Sequence, residues 1–289
     1  MTISQAIRAA AERLALTSDT ARLDAELLMA HTLGVSRSDM LLWHMNDLEP
    51  ARFEHRVDRR AAHEPVAYIT GVCEFYGREF RVNSDVLIPR PDSETIVEAA
   101  LEALNEVPTG HLNLPDILDL GTGSGALLLS VLAERSDLTG YGIDCSEGAL
   151  RMARDNAERL GLCDRATFEE ADWTKRSGRG DDWAAALVPA ALILANPPYV
   201  ENDAQIGSNV REFEPAGALF AGPEGLDDYR LIIPSLRNLL LDGGKAVLEI
   251  GHTQAEAVTE LAEKAGFAVD VRHDLANRPR ALVLSSGNW

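Results

Sequence analysis

From residue 116 onward, short apolar β-branched runs alternate with longer amphipathic ones. Strands are expected at 116–120, 139–143, 166–170, 191–195, 244–250, 267–272 and 280–285, and helices at 124–135, 146–160, 226–240 and 253–265. Such alternation predicts an α/β fold, a mostly parallel sheet with helices on both faces, because parallel neighbours must be joined by crossovers. It excludes a helical bundle and a β-sandwich. It also says where a ligand would sit, since parallel strands of this kind bind at their carboxyl ends.

The first 65 residues read as helices. Ile3, Ile7, Ala10 and Leu14 repeat at helical spacing, as do Leu23, Leu27, Leu28 and Leu42 around Gly34. Residues 50–62 carry Arg52, Arg56, Arg59 and Arg60 near one face, read as a solvated face. From Val66 the residues turn β-branched and aromatic, with two short runs around Gly77 that suggest a hairpin at 74–82. Val86 to Pro91 continues this linker, and Pro91 with Asp92 opens a helix at 92–106. The expected organisation is a helical N-terminal domain at 1–70, a β-hairpin linker at 71–90 and an α/β domain at 91–289.

Charge divides the chain in the same place. The net charge is −19, yet residues 1–90 hold 11 basic and 13 acidic side chains, whereas 91–289 hold 16 against 33. A balance of this kind disfavours proteins that work by neutralising nucleic-acid phosphates or anionic lipid.

Two elements carry chemistry. The first is Asp119-Leu120-Gly121-Thr122-Gly123-Ser124-Gly125 after the apolar pair Ile117-Leu118. Glycines at a strand-to-helix turn let a ligand approach the backbone, and Asp144, ending the next strand, stands where an acid meets ribose hydroxyls. Gly121, Gly123 and Ala126 also satisfy the relaxed dinucleotide pattern, so NAD stays compatible here. Asp119 next to the glycines suits a cationic ligand better than a phosphate, as in the sulfonium and amino groups of S-adenosylmethionine. Trp173, after Asp172, has two readings: a ring offered to adenine, or a core side chain.

The second element is Asn196-Pro197-Pro198-Tyr199, directly after the apolar run 191–195. Two prolines remove amide donors and fix the turn, leaving carbonyls as acceptors. The Asn196 side-chain oxygen and the Pro197 carbonyl can together hold the two N–H groups of a planar amino group. That aims the nitrogen lone pair at a methyl carbon, while Tyr199 could stack on the planar group and exclude water.

Other chemistries find little support. His31, His44, His55, His63, His111, His252 and His273 show no paired ligand spacing, so no metal is expected. Cys73, Cys145 and Cys163 form no C-x-x-C pair and read as reduced thiols. Residues 1–20 are interrupted by Arg8, Glu12 and Arg13, and the apolar run 183–195 is short and contains Pro189. A cytoplasmic protein without a membrane anchor is expected.

With these residues in view, the chain resembles the bacterial peptide-chain release factor glutamine N5-methyltransferases (the PrmC/HemK family). The match includes residues 65–71, Glu74-Phe75-Tyr76-Gly77, and Asp85-Val86-Leu87-Ile88-Pro89-Arg90-Pro91-Asp92. It continues through the glycine loop, the Asn-Pro-Pro-Tyr element, Glu214-Pro215, Ala218-Leu219, Gly225-Leu226-Asp227 and Glu249-Ile250-Gly251. The linker block is the specific part, because many amino-methylating enzymes share the other two elements. The resemblance implies a small helical N-terminal domain that recognises substrate and a seven-stranded, Rossmann-like methyltransferase domain. It implies S-adenosyl-L-methionine as cofactor, at Gly121, Thr122, Gly123, Ser124, Gly125, Asp144, Trp173 and Asn196. It further implies methylation of the glutamine in the Gly-Gly-Gln loop of class 1 release factors, with substrate held at Asn196, Pro197, Pro198 and Tyr199. Asn196, Pro197 and Tyr199 are the expected catalytic set. The expected partner is thus a protein, bound by a monomer, with no direct nucleic-acid contact. Ser93 stands where the family usually has threonine, and residues 173–182 look longer than usual. Methylation of an adenine amino group, which uses the same element, is the rival that the acidic charge argues against. A nucleotide-binding scaffold without catalysis is the other rival, opposed by the intact Asn-Pro-Pro-Tyr element.

Overall fold

Local capping sets the first helices. In α1 (Ile3–Leu14), Thr2 and Gln5 form a reciprocal capping box, and Ile3, Ile7, Ala10 and Leu14 turn inward. α2 (Ala21–Leu33) ends at Gly34, whose φ of 70° supplies the left-handed cap. A helical turn, α3 (Arg37–Asp39), and a π-helical turn at Met40–His44 lead to α4 (Phe53–Ala61) and α5 (Val66–Thr70). The computed structural model describes residues 1–110, 114–175 and 183–286. It divides into two compact units, Met1–Val72 with Ile206–Glu214, and Cys73–Gln205 with Pro215–Trp289.

Val66–Thr70, inside the expected helical domain, is helical: Pro65 opens the turn and Gly71, at φ 77°, closes it, so local punctuation overrides the β-branched composition. One expectation fails in the first unit. The arginines of α4 are not one solvated face. Phe53, Val57 and Arg60 share the buried stripe of that helix, and Arg60 Nε lies 2.7 Å from Asp24 Oδ2, both side chains buried. Arg59 pairs with Glu64 at 2.5 Å; Arg52 is exposed, and Arg56, like Arg59, is half-buried.

The second unit begins with the expected hairpin, β1 (Val72–Phe75) and β2 (Arg78–Arg81), followed by α6 (Glu94–Ala103). The sheet then runs β3 (Ile117–Leu120), α7 (Ala126–Glu134), β4 (Gly140–Asp144), α8 (Glu147–Arg159), β5 (Ala166–Glu170) and β6 (Ala190–Ala195). After α9 (Ser208–Arg211), which belongs with the first unit, come α10 (Asp227–Leu239), β7 (Leu240–Glu249), α11 (Ala255–Lys264), β8 (Phe267–His273) and β9 (Pro279–Ser286). The seven strands lie in the order β5-β4-β3-β6-β7-β9-β8. β3 to β7 pair in parallel, and β9 alone runs antiparallel to its neighbours.

The core explains the continuous apolar runs. β6 is buried along its whole length. Leu192 and Leu194 pack with α6, α7 and α8 on one face, while Ile193 and Ala195 pack with α10 and α11 on the other. Among the described residues no helix is long and apolar enough to cross a membrane. Much of the extended segment at 173–182, and His111, lie outside the described residues.

Candidate active site

Three neighbouring strand ends build the site. β3 stops at Leu120, and the chain turns through Gly121, Gly123 and Gly125, with φ of 72°, 56° and 79°, before α7 begins. These angles are cheap only for glycine. At Gly121 a Cβ would also stand 3.0 Å from the Trp173 ring, so the backbone and that ring are in close contact. Gly125 serves a different end: a Cβ there would meet Leu129 at 2.9 Å, which makes it a packing residue at the start of α7.

The turn is tied to the end of β4. Thr122 N donates to Ile143 O at 2.8 Å. Gly123 N donates to Asp144 Oδ2 and Ser146 N to Asp144 Oδ1, each at 2.9 Å. Burial outweighs these amides and raises the Asp144 carboxyl above its ordinary value. Cys145 also hydrogen-bonds this carboxylate through its backbone and its thiol, and Asp144 lines the cleft.

Asp119 lies beneath the turn, 1% exposed. The Thr122 hydroxyl donates to its Oδ2 at 2.7 Å, while Oδ1 is buried with no hydrogen-bond partner among the described residues. Burial, with the charge of Asp144 adding to it, pushes the carboxyl up to about 7. Asp119 is not among the walls of the cleft, so it acts there through its charge and not by contact; a buried acid beside the turn suits a ligand that brings a positive charge and does not suit a phosphate.

At the end of β6, Asn196 is half-buried and Pro197 and Pro198 are buried. Asn196 and Pro198 line the same cleft as Gly121, Thr122, Gly123, Ser124, Asp144 and Trp173. The cleft has a solvent-accessible volume of about 200 Å³ and is open to solvent on one side. Gly125, Pro197 and Tyr199 are not among its walls. The half-buried Tyr199 instead sends its hydroxyl to Glu249 Oε1 at 3.2 Å. Burial first, then the charge of Glu249, raises that phenol well above its ordinary value. Trp173 lines the cleft, and its indole donates to Asp228 at 2.5 Å while it meets Trp183 edge-on.

Sequence reasoning missed the opposite wall, where Asp85, Val86, Leu87, Pro89, Arg90 and Ser93 face the cleft. Their signal was present in the apolar, proline-bearing run 86–91, which was read as a linker because it lacks any period. Among the described residues no group of His, Cys, Asp or Glu could hold a metal ion.

Comparison with known proteins identifies the family. Residues 5–71 match the PrmC N-terminal domain, and residues 114–179 match a methyltransferase domain. The release factor glutamine methyltransferase of Cereibacter sphaeroides is 40% identical over 97% of both chains. That of Burkholderia pseudomallei is 39% identical over 94% of this chain and 95% of its own. The crystal structure of the release factor-specific protein-(glutamine-N5) methyltransferase from Alicyclobacillus acidocaldarius is 25% identical. It superposes with a TM-score of 0.41, covering 72% of this chain and 100% of that one. Near-full-length identity at this level, together with the N-terminal domain match, shows that the chain belongs to the release factor glutamine methyltransferases.

Proposed function

We propose that this chain transfers a methyl group from S-adenosyl-L-methionine to the side-chain amide nitrogen, N5, of the glutamine in the Gly-Gly-Gln loop of class 1 peptide-chain release factors, and so modulates translation termination. The observation that carries the reading is Asn196, held at the end of β6 in the wall of the cleft that the glycine turn and Asp144 also line.

The cofactor supplies an electrophilic methyl group on a sulfonium. The chain holds that cofactor at Gly121, Thr122, Gly123, Ser124 and Asp144, against the Trp173 ring. Asn196 Oδ1 and the Pro197 carbonyl accept the two N–H groups of the glutamine amide. An amide nitrogen is a poor nucleophile because its lone pair is delocalised. Gripping both hydrogens orients that lone pair, an effect of positioning that needs no strong base. Pro198, on the cleft wall, helps exclude water, and the nitrogen proton leaves late to solvent. No histidine or lysine lines the cleft among the described residues, in keeping with this. Tyr199, tied to Glu249, fixes the far end of the element.

On this reading residues 1–70 recognise the protein substrate, 71–90 link to the methyltransferase domain, and the enzyme works as a cytoplasmic monomer without direct nucleic-acid contact. The test offers a labelled methyl donor with a release factor, its loop variant lacking the glutamine, and DNA side by side. Label is expected on the intact release factor alone; labelled DNA, or equal label on the variant, overturns the reading.

A further inference from the structure

The Asn-Pro-Pro-Tyr element has a mechanical problem of its own. Pro197 and Pro198 have no amide hydrogen, so neither can be anchored by its own donor. The element is held instead through its carbonyls and through Tyr199. Tyr199 is where the grip is applied: its carbonyl receives a hydrogen bond from Gln254 Nε2 at 3.0 Å.

Gln254 caps α11 at its amino end, and its amide is fully engaged. The same Nε2 donates to Gly225 O at 3.1 Å, and Oε1 accepts from Gly251 N at 3.1 Å. One side chain thus joins three segments: the turn after β6, the loop before α10 and the turn after β7. The packing at this junction is tight. A Cβ on Gly225 would fall 2.2 Å from Tyr199 O, and one on Gly251 would fall 2.7 Å from Gln254 Oε1. The Tyr199 hydroxyl, held by Glu249, supplies a second tie on the same residue. Gln254 itself does not line the cleft.

We infer that Gln254 is a positioning residue for methyl transfer: it sets the placement of Asn196 Oδ1 and the Pro197 carbonyl by holding the carbonyl two residues downstream. The inference rests on the proposed role of Asn196 to Tyr199. It separates Gln254 from the cofactor grip, which comes from the ends of β3 and β4, so the loss of Gln254 should be felt in turnover and not in cofactor affinity.

Two substitutions in the full-length chain test this. Gln254→Met keeps the length and removes every hydrogen bond; Gln254→Glu keeps the acceptor for Gly251 N and removes the donors. Each is expected to lower kcat on a release factor about 10- to 100-fold, the scale of a displacement of about an ångström. The KM for the release factor and the calorimetric Kd for S-adenosyl-L-methionine should stay within about threefold of wild type, the signature of a contact that matters in the transition state. Unchanged kcat in the folded variants overturns the inference, and so does a parallel loss of cofactor affinity. If Gln254→Met fails to fold, the same comparison is read from Gln254→Glu. A wild-type chain that leaves the release factor unlabelled overturns the proposed function itself, an outcome distinct from active wild type with indifferent variants.

Discussion

Asp24 in the helical unit and Asp119 in the sheet unit are both buried, and the two are treated in opposite ways. In the helical unit, Asp24 is 5% exposed and every side of it is served. Arg60 and the Ser18 hydroxyl reach Oδ2 at 2.7 Å each, and the Thr20 hydroxyl reaches Oδ1 at 2.9 Å. In the sheet unit, Asp119 is 1% exposed with one hydroxyl donor, an orphaned Oδ1 and a carboxyl raised to about 7. A buried acid with a full set of partners is scaffold. One left short of partners beneath the glycine turn is a charge that the fold itself does not neutralise, and on the proposed reading it favours a cation in the cleft beside it.

The contrast can be broken from either side. The largest effect is expected on the scaffold side. Arg60→Ala strands Asp24 as an uncompensated buried charge and should cost about 3–5 kcal/mol, read by denaturant unfolding of the full chain. A loss below about 1 kcal/mol would place Asp24 with ordinary surface acids. Next, Asn196→Ala should lower kcat at least about 100-fold while calorimetric binding of S-adenosyl-L-methionine persists; a fully active variant removes Asn196 from its role.

Asp119 yields a pH signature. Only its ionised form attracts a cation, so with a carboxyl near 7 the affinity for S-adenosyl-L-methionine should rise about tenfold between pH 6 and 8, with proton release on binding. Asp119→Asn should bind more weakly and lose this dependence. Stability moves the other way. The carboxyl is raised from 3.8 to about 7, so the protonated form favours the fold; that contribution is whole below 3.8 and is lost as pH rises through 7. The smallest effect is expected at Ser146, whose hydroxyl caps α8 by accepting from Ala149 N at 3.2 Å. Ser146→Ala should cost about 1 kcal/mol, seen as a small shift in melting temperature.

What the sequence shows plainly is what depends on neighbours along the chain. Strand 191–195 was legible because it is buried on both faces and so reads as an unbroken apolar run. The glycine turn was legible because three left-handed positions in five residues admit little else. The short helix Val66–Thr70 carries β-branched residues, yet Pro65 and Gly71 punctuate it in the sequence. Arg60 was misread because its charge hid its place in the stripe of Phe53 and Val57. The ties on Tyr199 lay beyond any such reading: Glu249 and Gln254 are 50 and 55 residues away, and only the strand order brings them back. The wall at 85–90 was hidden for a related reason, since a segment with no period gives no face to follow.

The strand order has a consequence for engineering. On the proposed reading, the acceptors for the amino group hang from the end of β6, while the grip on the methyl donor hangs from β3 and β4. Donor and acceptor machinery are therefore separate cartridges in adjacent slots of one frame. A designer could exchange the loop after β6 to address a different planar amino group and leave the donor cartridge untouched, provided the new loop offers a carbonyl where Gln254 can hold it.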